Sequence, residues 1–201
     1  MRFPVLITPP AVAVVTLAEA KAHLRVDHAD DDALIGGMIA AATGHLDPAG
    51  GGWLGRALRP QTWELRLDFF PYGAILLPYP PLISVDSVTY DDDDGVEQEL
   101  VAGTGYRVFA GGAWNARIEP VYGGAWPSVR CDRDAVRIRY VSGYPPAGEE
   151  TPDGLPAAIT AAVLLMVGDL YAHRETVADG APAKVPVSAT VDALLAPFRV
   201  Y

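Results

Sequence analysis

The chain has 201 residues, half of them hydrophobic, and a formal charge of −10 at pH 7. That is enough apolar material for a sizeable core, which excludes a disordered protein. The acidic balance argues against a protein that grips nucleic acid or anionic membrane through clustered Lys and Arg. The N-terminal stretch MRFPVLITPPAVAVV has one Arg ahead of apolar residues, but Pro4, Pro9 and Pro10 interrupt the helix a secretory signal needs. A single cysteine, Cys131, leaves no internal disulfide and suits a reducing compartment. The expectation is a cytosolic, soluble protein, because the longest apolar run, at 155–167, is too short to span a membrane.

The first organised element begins at Thr16, where T-L-A-E has the form of a capping box: the Thr hydroxyl and Glu19 satisfy each other's backbone N–H. Leu17, Ala20 and Leu24 then fall on one helical face, and the helix is predicted to end near Val26. Asp30, Asp31 and Asp32 suit the start of a second helix, whose apolar stripe is Leu34, Ile35, Met38, Ile39, Ala42 and Leu46. Pro48 and the run Gly50-Gly51-Gly52 stop it. Residues 1–60 thus read as an N-terminal arm and a helical hairpin.

The period changes at Q-T-W-E-L-R-L-D-F. Trp63, Leu65, Leu67 and Phe69 alternate with Thr62, Glu64, Arg66 and Asp68, the pattern of a half-buried strand. Further strands are predicted at 74–77, 83–90, 99–101, 106–109, 116–119 and 135–141, separated by Asp- and Gly-rich turns. Short strands at this spacing make residues 61–145 an antiparallel sheet or small barrel. Helix returns over 155–175. Pro156 is placed for the first turn, and Ile159, Val163, Leu164, Leu165, Leu170 and Tyr171 make it apolar on almost every side. A helix of that kind is buried by its own fold or by neighbouring subunits. Residues 176–190 hold two prolines and no sustained period, as a tether does. From Val191, the positions of Leu194, Leu195 and Phe198 put apolar groups on one side of a short helix with Pro197 near its end. The fold class is therefore α+β: helical hairpin, antiparallel β region, long apolar helix and C-terminal tail.

Signatures of catalysis are missing: there is no G-x-S-x-G, P-loop, G-x-G-x-x-G or H-E-x-x-H. His23, His28, His45 and His173 show no metal-ligand spacing, so no cofactor or metal is expected. Asp91 to Asp94 lack the order of a calcium loop and read as an exposed hairpin tip. Glu149 and Glu150 lie in a loop without a partnering base. Trp53, Trp63, Trp114 and Trp126 are better placed for core or subunit contact than for a stacking platform.

Several stretches taken together resemble a known group. They are V-T-L-A-E-A-K-A-H-L-R-V-D at 15–27, D-D-A-L-I at 31–35, G-R-A-L…Q-T-W-E-L at 55–65 and L-P-Y-P-P-L-I-S-V-D-S-V-T-Y at 77–90. V-R-I-R-Y-V-S-G-Y at 136–144, L-P-A-A-I-T-A-A-V at 155–163 and L-L-A-P-F-R-V at 194–200 complete the series. The chain is similar in this order to the head–tail connector (adaptor) proteins of tailed bacteriophages and gene transfer agents. It departs from them at D-P-A-G-G-G-W-L, residues 47–54, where a plainer helix end would stand.

The resemblance implies a virion protein of the neck, assembled in the bacterial cytoplasm, without catalytic residues, cofactor or membrane contact. It implies a homo-oligomeric ring, commonly of twelve copies, under the portal, with a tail or stopper protein on the far side and DNA passing through without specific binding. The helical part would build the ring, with Ile159, Val163, Leu164 and Leu165 as subunit interface. Residues 176–201 would be tether and portal-docking segment, using Val191, Leu194, Leu195, Pro197, Phe198, Arg199 and Tyr201. The alternatives are a tail folded back on its own sheet and, for the whole chain, a carbohydrate- or protein-binding β module.

Overall fold

The computed structural model describes residues 4–112, 116–148, 154–173 and 188–200. It has mixed helices and antiparallel sheets and divides into two compact units: Met1–Ala11 with Arg56–Pro145, and Val12–Gly55 with Pro146–Tyr201. The first unit takes the N-terminal arm away from the helices that follow it in sequence.

That first unit is β1 (Val5–Thr8), β2 (Gln61–Leu67), β3 (Ile75–Leu76), β4 (Leu82–Asp91), β5 (Glu97–Glu99), β6 (Tyr106–Phe109), β7 (Arg117–Pro120) and β8 (Val136–Ser142). They form a five-stranded sheet in the order β1-β2-β8-β4-β5 and a three-stranded sheet in the order β3-β7-β6, every pairing antiparallel. The alternation read in β2 sets the register: Trp63 faces Tyr140, Leu65 faces Ile138 and Leu67 faces Val136. Trp63, Leu65, Val88, Ile138 and Tyr140 join Ile75, Tyr106 and Ile118 of the smaller sheet in one buried cluster. The intervening positions carry charge. Glu64 is buried between Arg139 and Arg66, with Nη2–O distances of 2.7 Å to each. Burial alone would raise the Glu64 carboxyl, but hydrogen bonds from Arg139 and Arg66 outweigh it and hold the group below its ordinary value.

The second unit contains α1 (Leu17–Leu24), α2 (Asp32–Leu46), α3 (Ala157–Ala172) and α4 (Ala189–Leu195), the last running into a 3₁₀ turn over Ala196–Phe198. The capping box at Thr16 is present: Glu19 N–H donates to Thr16 Oγ1 at 3.2 Å, and Thr16 N–H donates to Glu19 Oε2 at 2.7 Å. Of the stripe read on α1 only Ala20 is buried, and Leu17 is exposed. On α2 the buried residues are Ile35, Ala42 and Leu46, while Leu34 faces solvent. Lys21 Nζ pairs with Asp32 at 2.6 Å, and the Tyr171 hydroxyl of α3 donates to Asp31, so acidic residues at the start of α2 receive bonds from both neighbouring helices.

The unusual run after α2 wraps the end of that helix. Asp47 O accepts from the N–H of Gly50, Gly51 and Gly52, and Gly51 N–H also reaches Gly44 O at 2.6 Å. A Cβ on Gly50 would lie 2.3 Å from Gly44 O, so the chain can double back this closely only with glycine there. Trp53 and Leu54 N–H then bond the carbonyls of His45 and Leu46, satisfying two of the helix's last acceptors.

Candidate functional site

Because the C-terminal segment was the strongest docking candidate in the sequence, its placement matters most. Ser188 caps α4 by accepting from Val191 N–H at 3.4 Å. Val191 and Leu195, four apart, present one face, and both are fully buried, with α4 packed on α3. Leu194 and Phe198 are half-buried and Pro197 is exposed. Beyond the 3₁₀ turn, Val200 N–H donates to Leu54 O at 3.0 Å. Gly55, at φ +69°, lies directly beneath, where a Cβ would meet Val200 O at 2.4 Å. The Arg199 guanidinium covers the Trp53 ring, whose centroid lies 6.2 Å from that of His45. The segment is thus ordered against its own helical unit. In this arrangement Val191 and Leu195 have no surface left for a partner, because α3 already takes it. Tyr201, the tether residues 176–187, Trp114, Glu149 and Glu150 lie outside the described residues.

The residues read as a subunit interface divide in two. Ile159 and Val163 are fully buried within the unit, together with Ala162 and Val167. Leu164 and Leu165 are half-buried and Asp169 is exposed. The apolar composition of α3 therefore does not mean burial on every side within one copy: one stripe meets α1, α2 and α4, and Leu164 and Leu165 keep part of their surface.

The acidic turn is more structured than a wet charge run. Arg137 clamps Asp91 with two bonds of 2.7 and 3.0 Å and reaches Glu97 at 2.7 Å. Hydrogen bonding from Arg137 holds the Asp91 carboxyl below its ordinary value and pushes the guanidinium up. Asp92 accepts from Val96 N–H at 2.9 Å, from Asp94 N–H at 3.1 Å and from Gln98, which lowers its carboxyl as well. Asp93 accepts from Ser128, leaving Asp94 at the exposed tip. Among the described residues no group of three or more His, Cys, Asp or Glu is placed to hold a metal ion, and no helix is long and apolar enough to cross a membrane.

Two features went unseen in the sequence. One is the seat of the tail on Trp53 and Leu54. The other is the outer face of the smaller sheet, where Arg107 and Arg117 flank Phe109. The spacing R-x-F…R-x-E hints at alternation, but only the register of β6 on β7 brings these groups together.

Residues 14–96 match the family model described as phage gp6-like head-tail connector protein. No curated protein matches the chain. Among solved structures, a chain in the neck of an empty GTA particle, computed with C6 symmetry, aligns with TM-score 0.74 and 23% identity over 100% of this chain and 96% of that one. A chain in the virion of a native gene transfer agent particle aligns with TM-score 0.69 and 24% identity over the same shares. A third, from the neck of a native GTA particle computed with C12 symmetry, gives 0.68 and 23%, again over 100% and 96%. At these identities the likeness is one of fold, and it extends over the whole length.

Proposed function

We infer that the chain is a head–tail connector of the phage gp6-like kind, a structural subunit of the neck of a phage-like or gene transfer agent particle. The observation that carries this reading is the full-length fold shared with neck chains, joined to the family match over residues 14–96. In this role the protein assembles as a ring, of twelve copies on the C12 precedent, under the portal, with a tail or stopper protein on the far side. It performs no chemistry. At −10 per copy, a ring repels DNA phosphate more than it holds it, which suits a channel through which a genome slides.

The helical unit is the ring-building part of this proposal, with the pair α1 and α2 and the apolar α3 as its body. Leu164 and Leu165 are the interface groups that still have surface to bury, and Ile159 and Val163 support them from inside the unit. Portal contact falls to Leu194, Pro197, Phe198, Arg199 and Tyr201, with Val191 and Leu195 anchoring the segment to α3. Assembly takes place in the bacterial cytoplasm, and the subunit ends in the virion.

Adding the tagged protein to portal-bearing particles that lack it, and imaging the necks, tests the reading. A closed ring of extra density at the portal is the expected result. Protein that never associates with such particles, under conditions where the particles accept their own neck proteins, overturns it.

A further inference from the structure

The outer face of the three-stranded sheet carries a preorganised cationic patch. Arg107 and Arg117 hold their guanidinium carbons 5.4 and 5.1 Å from the Phe109 ring centroid. The register places Phe109 opposite Arg117 and Arg107 opposite Glu119, so these groups share one face, and Leu76, opposite Arg117, is 56% exposed beside them. Arg117 is paired with Glu119 at 2.5 Å. Arg107 is exposed and makes no ion pair among the described residues, on a strand that forms the sheet's edge. A guanidinium held over an aromatic ring has already lost some of its rotamer freedom, so it binds a carboxylate fork at lower entropic cost.

The complementary surface lies at a different edge. β5 ends the five-stranded sheet, and its Glu97, Gln98 and Glu99 are exposed next to the Asp-rich turn. Arg137 takes up Asp91 and Glu97, and the turn itself takes up Asp92. Asp94 and Glu99 are exposed and belong to none of the ion pairs among the described residues, with Arg130 reaching the turn beside Gly95.

We propose that the Arg107–Phe109–Arg117 face receives the acidic β4–β5 hairpin of a neighbouring copy, giving head-to-tail contact between sheet units in addition to any helical interface. The proposal rests on the ring reading above, because a closed ring needs two different patches on each copy. These are two such patches, opposite in charge, on edge strands of separate sheets. Edge strands carrying charge resist random pairing, and matched charges turn that resistance into selection for one neighbour.

The test uses two full-length proteins, Arg107→Glu and the pair Asp94→Arg with Glu99→Arg, neither of which removes an ion pair among the described residues. Each alone juxtaposes like charges and should enter necks about tenfold less than the parent protein. Mixed in equal amounts, they restore opposite charges at every junction of an alternating ring, and incorporation should recover. Normal incorporation of either single protein, or failure of the mixture to exceed its components, overturns the contact. Sedimentation at high concentration separates this from failure of the ring reading. If even the parent protein enters no neck, the connector role falls, while the contact still stands if the mixture associates more tightly than either protein alone and falls if it does not.

Discussion

The Arg199 guanidinium lies 4.3 Å from the centroid of the Trp53 ring, and the next residue, Val200, donates its N–H to Leu54 O. A free docking peptide could be deleted without cost to its domain. This one contributes two fully buried side chains, Val191 and Leu195, to the core of its unit. Leu195→Ala should lower the unfolding free energy by about 2–4 kcal/mol, as large-to-small changes in cores do. Arg199→Ala should lower it by about 0.5–1 kcal/mol, the worth of a cation–π contact near solvent. Urea titration followed by Trp fluorescence reads both. An unchanged midpoint for Leu195→Ala would mean that the segment is not held in solution.

Asp91 and Arg137 make stability depend on pH in a definite direction. Arg137 holds the native Asp91 carboxyl below its ordinary value, so its contribution is fully present above the ordinary carboxylate range and is lost as pH falls through the lower native value. Glu64, also held below its ordinary value, acts in the same sense. Asp91→Asn should therefore be less stable than the parent at pH 7, and the difference should shrink toward zero in strong acid. Thermal melts at pH 7, 4 and 2.5 check it. A gap that stays constant across that range would assign the loss to shape and not to charge. Replacing Asp91 to Asp94 together by Asn should be harmful too, since the Arg137 clamp and the Asp92 turn bonds both draw on carboxylate charge.

Gly50 has backbone on top of it. A methyl group 2.3 Å from Gly44 O forces the turn after α2 to open, so Gly50→Ala should cost about 1–3 kcal/mol, a typical overpacking penalty. Gly73 has nothing within 4 Å of its notional Cβ and serves as the control, with Gly73→Ala within about 0.5 kcal/mol of the parent. Paired denaturation curves decide it, and equal midpoints would refute the wrapping of α2 by its glycine run.

What was legible in the sequence was local. Thr16 and Glu19 sit three apart in one turn, so their mutual capping could be read without knowing anything else of the fold. The alternation from Trp63 to Leu67 shows in the register, because a strand's period belongs to its own residues, but burial follows it only in part: Glu64 is buried as well, paired by Arg139 and Arg66, and Leu67 is half-buried. β1 was missed because four residues between prolines give too short a pattern, and its partner β2 lies far along the chain. The same limit explains the acidic turn. The Asp run was visible, but Arg137 meets Asp91 only because β8 pairs with β4. For the tail, helical spacing was apparent in Val191 and Leu195, whereas the surface they fill is set by α3 and by residues 53–55. Composition on α3 left two ways to cover the helix, its own fold or a neighbouring copy, and only the tertiary packing shows that one stripe has neighbours in the same copy while Leu164 and Leu165 keep part of their surface.

That division on α3 yields the sharpest separation of core from interface. Val163 is fully buried on α3, the helix that packs on α1, α2 and α4, so Val163→Asp puts an unpaired carboxylate in the core, and the protein should lose several kcal/mol or fail to fold. Leu164 and Leu165, one and two positions on, are half-buried, and Asp there can keep its charge in water. Leu164→Asp and Leu165→Asp should therefore cost the isolated subunit only about 0.5–1.5 kcal/mol, within the ordinary range for point changes. If these positions face a neighbouring copy in the ring, assembly should fail even so, because there the same charge loses its water. Two measurements on each variant are needed, a melting curve for the subunit and neck occupancy on portal-bearing particles. A subunit that melts near the parent temperature and stays off the neck locates the interface at these two leucines. Full occupancy with Leu164→Asp and Leu165→Asp would move it elsewhere on the helical unit.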